Sequence, residues 1–234
     1  MLRTTFISDL HGQYQRLKLP GGDLLLCCGD ILSSSKSQKQ TVQQISDFCQ
    51  WLNNQSYSVK IFVAGNHDLI FEAEKDAVKT IVSQYSQIYY LLFEHVELNI
   101  NGIPLKIFGG PYYQYYYSQV KQCFKLTEEK RIEILNKIDP DTDIIITHGP
   151  PKGFCDISNQ GNSCGCQNLV GKIIEIKPRL CAFGHIHEAG GIQANDQTWF
   201  INASIMEVGF HTDYVNVQTT QITRNWVIEP NLLE

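Results

Sequence analysis

Five short apolar runs, "LRTTFIS" (2–8), "DLLLCC" (23–28), "KIFVA" (60–64), "TDIIIT" (142–147) and "LCAFG" (180–184), punctuate this chain, and each gives way to polar residues beside a glycine. Runs this short, bounded by turn residues, read as buried strands. Between them lie segments of helical period: Val42, Ile45, Phe48, Cys49 and Leu52; Val78, Ile81, Val82 and Tyr85; Ile132, Leu135 and Ile138; Leu169, Val170, Ile173 and Ile174. Strand and helix alternate, which predicts an α/β fold.

Two regions depart from that alternation. "HVELNINGIPLKIFGG" reads as a hairpin turning at Asn101-Gly102, and "WFINAS", "YVNVQ" and "NWVIE" predict a strand-rich tail, so antiparallel strands should join the sheet system. No internal repeat or linker divides the chain, and residues 1–234 are expected to form a single domain. "SSSKSQKQ" at 33–40 reads as a mobile loop.

The polar residues after each run are a consistent set. Asp9 and His11 follow the first, Asp30 the second, Asn66 and His67 the third, His148 the fourth, and His185 and His187 the fifth. In α/β sheets, sites form beyond the carboxyl ends of strands, so these residues should converge. Singly, each has a plainer use: Asp9 fits a helix cap, Asp30 an Asx turn, Asn66 a cap for a helix near residue 72, and His148 a satisfied buried imidazole. Their repetition at every strand end is hard to assign to packing. Imidazoles, carboxylates and one carboxamide suit manganese, iron, zinc or similar borderline ions. Asp-x-His and His-x-His on extended chain would point both side chains one way. So many donors exceed the need of one ion and suit two sharing Asp30.

A net charge of −5 without a basic run argues against tight binding to long nucleic acid. The N-terminus lacks the features of a secretory signal, and no run approaches the roughly 18 apolar residues of a membrane span, so a cytoplasmic location off the membrane is expected. Cys27, Cys28 and Cys181 lie in strand-like runs and read as reduced core thiols. Cys155, Cys164 and Cys166 lack the second close pair of a structural zinc site and read as loop thiols.

"ISDLHG", "CCGDIL", "VAGNHD", "ITHGPP" and "FGHIHE", in that order, resemble the signature of calcineurin-like metallophosphoesterases. "VAGNHDL", "ITHGPPKG", "AFGHIHEAGG" and "FINAS" are most similar to the small metallophosphoesterase-domain proteins related to fetal-brain protein 239. The chain departs from them in its Tyr-rich segment after Gly110 and its Cys-rich loop, and "GDIL" lacks the extension of phosphoprotein phosphatases. The resemblance implies a four-layer αββα sandwich with two facing mixed β-sheets and the metal site at strand C-terminal ends. It further implies that Asp9, His11, Asp30 and His187 hold one divalent ion and Asp30, Asn66, His148 and His185 another. Manganese is the expected ion, with iron, zinc, magnesium, nickel or cobalt compatible. A bridging hydroxide would attack, His67 would act as general acid and Asp68 would orient its ring. Phosphodiester hydrolysis on small or cyclic nucleotides is the expected activity. The alternatives are a phosphomonoesterase, a nuclease, or a scaffold that binds metal without turnover. Glu188 stands beside the site, His95 and His211 read as structural or surface residues, and Tyr112, Tyr113, Tyr115, Tyr116 and Tyr117 read as a packed wall in preference to a base-stacking platform.

Overall fold

The computed structural model describes residues 2–33, 39–114, 121–205, 218–222 and 228–231. Tyr115, Tyr116, Tyr117, His211, residues 34–38 and most of "YVNVQ" and "NWV" lie outside the described residues.

Strands β1 (Leu2–Ile7), β2 (Gly22–Cys27), β3 (Tyr57–Phe62) and β4 (Ile88–Tyr90) run parallel in one sheet. Strands β5 (Glu94–Ile100), β6 (Ile103–Gly110), β7 (Ile144–Thr147), β8 (Leu180–Phe183), β9 (Gly191–Ala194) and β10 (Trp199–Asn202) form a second sheet, and β11 (Gln218–Ile222) and β12 (Ile228–Asn231) complete the first. The orders are β12-β11-β1-β2-β3-β4 and β5-β6-β7-β8-β10-β9, with β11, β12, β5 and β9 antiparallel to their neighbours. Both sheets are therefore mixed, as expected. Of the expected tail strands, "WFINAS" holds β10, while "YVNVQ" and "NWVIE" lie mostly outside the described residues; β4 and β9 were not anticipated.

Alternation along the strands sets the layers. Leu24 and Leu26 of β2 pack with Leu105 and Ile107 of β6 and Ile144 and Ile146 of β7 in a core between the sheets. Leu25 and Cys27 point the other way, onto helices α1 (Val42–Asn53), α2 (Leu69–Ala73) and α3 (Lys75–Val82). Ile145, Cys181 and Phe183 likewise meet α4 (Glu128–Leu135) and α5 (Gln167–Ile176) on the outer face of the second sheet. The result is an αββα sandwich. Each fully buried Leu, Ile or Phe contributes about 1.5–3 kcal/mol to holding it.

Local chemistry sets the element ends. Gln44 reaches back to the N–H of Thr41 at 2.8 Å to start α1, whose buried face is Ile45, Phe48, Cys49 and Leu52. The β5–β6 hairpin turns at Asn101 (φ 53°) and Gly102 (φ 79°), the paired left-handed residues that a two-residue turn requires.

The sheets meet at the carboxyl ends of their parallel strands. Ser8, after β1, bridges to Ser204, after β10. A Cβ on Gly184, after β8, would overlap Ser8 and the Asp9 carboxylate, so only glycine lets β8 end so close to β1.

Candidate metal centre

Every residue selected from the strand ends lies at this junction. Asp9 and His11 follow β1, Asp30 follows β2, Asn66 and His67 follow β3, His148 follows β7, and His185 and His187 follow β8. All but His67, His185 and His187 are buried. Asp9 (φ 58°), His11 (φ 42°), Asp30 (φ 50°) and His185 (φ 73°) take left-handed backbone that non-glycine residues disfavour. Such strain persists where surroundings enforce it, and it marks functional sites. The extended Asp-x-His and His-x-His geometry is corrected here: the turns, rather than strand pleat, aim these side chains. His185 Nδ1 lies 3.2 Å from His148 Nε2, whereas His187 Nε2 lies 3.4 Å from His11 Nε2 and 3.3 Å from Asp9 Oδ1.

Among the described residues, two groups have donor atoms close enough to share an ion: Asp9, His11 and His187, and Asp9, Asp30 and His148. Asp30 reaches into both, with Oδ2 at 3.8 Å from His11 Nε2 and 3.4 Å from His148 Nε2. Asn66 joins through Oδ1, 2.8 Å from His148 Nε2.

The surroundings of His148 test whether a cation fits. Its Nδ1 donates to the Cys28 carbonyl at 2.9 Å, which leaves Nε2 to face the site. Around Nε2 stand Asn66 Oδ1, Asp30 Oδ2 and His185 Nδ1, three electron-rich atoms. The Asp30 carboxylate and the Asn66 oxygen favour a positive centre there, as a proton or a metal ion. Burial disfavours charge on His148, yet the Asp30 and Asp9 carboxylates lift its pKa to about 9. Burial with the neighbouring charge on His148 pushes His185 down to about 3. Burial works against ionised Asp9 and Asp30, but His187 and His148 respectively hold them below the usual carboxylate range. Two buried carboxylates ringed by imidazoles are a donor set for divalent cations. Among the described residues, the buried Asn66 Nδ2 also has no partner.

His67 lies beside this group, its ring 5.7 Å from that of His11. Its N–H donates to Asp30 Oδ1 at 2.8 Å. Asp68 is placed differently from the expected orienting role. Its carboxylate accepts the backbone N–H groups of Gly65 (2.8 Å), Ile31 (3.0 Å) and Leu32 (2.8 Å), locking the loop after β3 to the loop after β2. Burial and the charge of Asp30 raise its pKa to about 7 against those donors.

Other residues noted in the sequence lie around this centre. Tyr113 is buried with its ring 5.5 Å from His185 and 6.2 Å from His148, and its hydroxyl donates to the Cys123 carbonyl at 2.9 Å. With Tyr112 also buried, these two tyrosines are packing residues behind the site. Glu188 accepts the N–H of Asn159 at 2.6 Å, tying the Cys-rich loop to the segment carrying His187. All eight cysteines are free thiols, with Cys166 buried against Tyr112 and Cys155 and Cys164 partly exposed. His95 is structural, between Thr142 Oγ1 and the N–H of Asp139.

The profile of the calcineurin-like phosphoesterases matches residues 2–189, so the chain belongs to that family and is a metal-dependent phosphoesterase. Among curated relatives, it is 31% identical over 227 residues to human metallophosphoesterase domain-containing protein 1, covering 89% of this chain and 67% of that protein. The mouse protein of the same name matches equally. One solved structure superposes with a TM-score of 0.73 at 16% identity over 99% of both chains, and that of TT1561 from Thermus thermophilus with 0.65 at 13% identity over 98% of both. Both share the fold. No helix among the described residues is long and apolar enough to cross a membrane.

Proposed function

We propose that this enzyme hydrolyses small phosphodiesters, cyclic nucleotides among them, at a centre of two divalent ions, with manganese as the working metal. The observation that carries this is the convergence of Asp9, His11, Asp30, Asn66, His148, His185 and His187 from five strand ends on one point between the sheets. Asp9, His11, Asp30 and His187 hold one ion, and Asp30, Asn66, His148 and His185 the other. Asp30 would be the shared ligand, because its Oδ2 faces both His11 and His148, with Asp9 close to both groups as well. Bound divalent ions supply Lewis acidity toward the phosphoryl group and make water nucleophilic at neutral pH.

The chain's own residues do the rest. His148 presents Nε2 because its Nδ1 proton is held by Cys28. His67, outside the ligand set, donates a proton to the leaving oxygen. The mild negative charge of the chain favours a small substrate over a nucleic-acid strand.

Protein stripped of metal and reloaded with manganese should hydrolyse bis(4-nitrophenyl) phosphate faster than 4-nitrophenyl phosphate, and a chelator should abolish turnover. On methyl phenyl phosphate, whose phenol leaves poorly, His67→Ala should lose about 10²–10⁴-fold in kcat. Preference for the monoester would overturn the substrate class. Metal uptake without turnover on either ester would favour the scaffold.

A further inference from the structure

The side chain of Gln40 spans the two loops that deliver Asp30 and His67. Its Nε2 donates to the His67 carbonyl at 2.7 Å and to the Ser33 carbonyl at 3.1 Å, and its Oε1 accepts the N–H of Ile70 at 3.1 Å. Both amide protons and an oxygen lone pair are thereby used. Ser33 lies just beyond Asp30, and Ile70 is the second residue of the helix just beyond His67, where a first-turn N–H has no partner within the helix. The half-buried amide is thus a cross-brace at the end of the 33–40 segment, whose residues 34–38 lie outside the described residues.

His67 depends on such bracing. It sits in a turn between β3 and α2, outside both elements. Asp30 Oδ1 takes its N–H from one side and Gln40 Nε2 holds its C=O from the other. Side chains from 37 and 27 residues away therefore tie down both backbone polar groups of this one residue.

We propose that Gln40 is a positioning residue for His67, fixing its peptide so that the imidazole meets the leaving oxygen. This rests on His67 as the proton donor. A brace serving only the fold would, on removal, slow every substrate alike. A brace serving proton donation matters most when the leaving group needs a proton. An activated phenolate departs without much help, and an unactivated one does not.

The test uses manganese-loaded protein with methyl 4-nitrophenyl phosphate and methyl phenyl phosphate, comparing wild type, Gln40→Met, Gln40→Glu, His67→Ala and the Gln40→Met/His67→Ala pair. Methionine keeps the length and removes all three hydrogen bonds. Glutamate keeps the acceptor for Ile70 and loses the donors. Both Gln40 variants should lose about 10–100-fold in kcat on the phenyl ester, the scale of an outer-shell orienting contact, with a much smaller loss on the 4-nitrophenyl ester. His67→Ala should show the same bias more strongly, and the pair should lose no more than His67→Ala alone. Equal losses on both esters, no loss, or additive losses in the pair would overturn the assignment. If His67→Ala is biased and both Gln40 variants are not, Gln40 alone is wrong. If His67→Ala itself shows no bias, the proton-donor role fails and the inference fails with it.

Discussion

Replacing Asp30 with asparagine is expected to reduce kcat/KM by at least about 10²–10³-fold, the scale of losing one preorganised electrostatic group. Asp30 is the point at which the two halves of the centre join: Oδ2 approaches His11 at 3.8 Å and His148 at 3.4 Å, and Oδ1 holds the N–H of His67 at 2.8 Å. Asparagine can keep the last contact through its carbonyl oxygen. It cannot supply the negative charge that offsets the cationic site. The variant should therefore fold, with activity lost far beyond stability. Kinetics at saturating manganese beside a thermal melt check this. A variant retaining wild-type turnover would remove Asp30 from the centre.

The second large effect is steric. In Gly65→Ala the new Cβ would fall on the Asp30 carboxylate and on the Asp30 backbone nitrogen. Rotating the carboxylate away leaves the clash with the backbone, so the loop must move and carry Asn66 and His67 with it. A cost of about 3 kcal/mol is expected, lowering Tm by roughly 6–12 °C. Metal uptake should weaken in parallel. Gly171 in α5 is the control, since its Cβ would meet nothing within 4 Å, and Gly171→Ala should be neutral or stabilising by about 0.5–1 kcal/mol. Differential scanning calorimetry with and without manganese separates the two variants. A Gly65→Ala protein as stable and active as wild type would contradict the close packing of these loops.

These effects also show what the sequence made legible. The strands and the candidate ligands at their ends could be read because an apolar run that stops at glycine and a cluster of His, Asp or Asn is a local pattern. The Asn101-Gly102 turn is equally local. Asp68 was harder. The family resemblance implied that it orients the His67 ring, but its carboxylate reaches 37 and 36 residues back to Ile31 and Leu32. Gln40 stands in a Ser/Lys/Gln stretch whose composition signals only a loop, and its role arises from loops that meet after folding. The short strands β4 and β9 have three and four residues, too few to show a period. The left-handed turns at Asp9 and His11 were hidden for another reason: non-glycine residues take such backbone under tertiary constraint, not from intrinsic preference.

The most direct measurement of the central claim is a metal count. Stripped protein would be reloaded with manganese, freed of excess by gel filtration and analysed for manganese per chain, with Asp30→Asn in parallel. The account predicts about two ions per wild-type chain and fewer in the variant, since both sites draw on Asp30. One ion or none in the wild type, or two retained without Asp30, would contradict it.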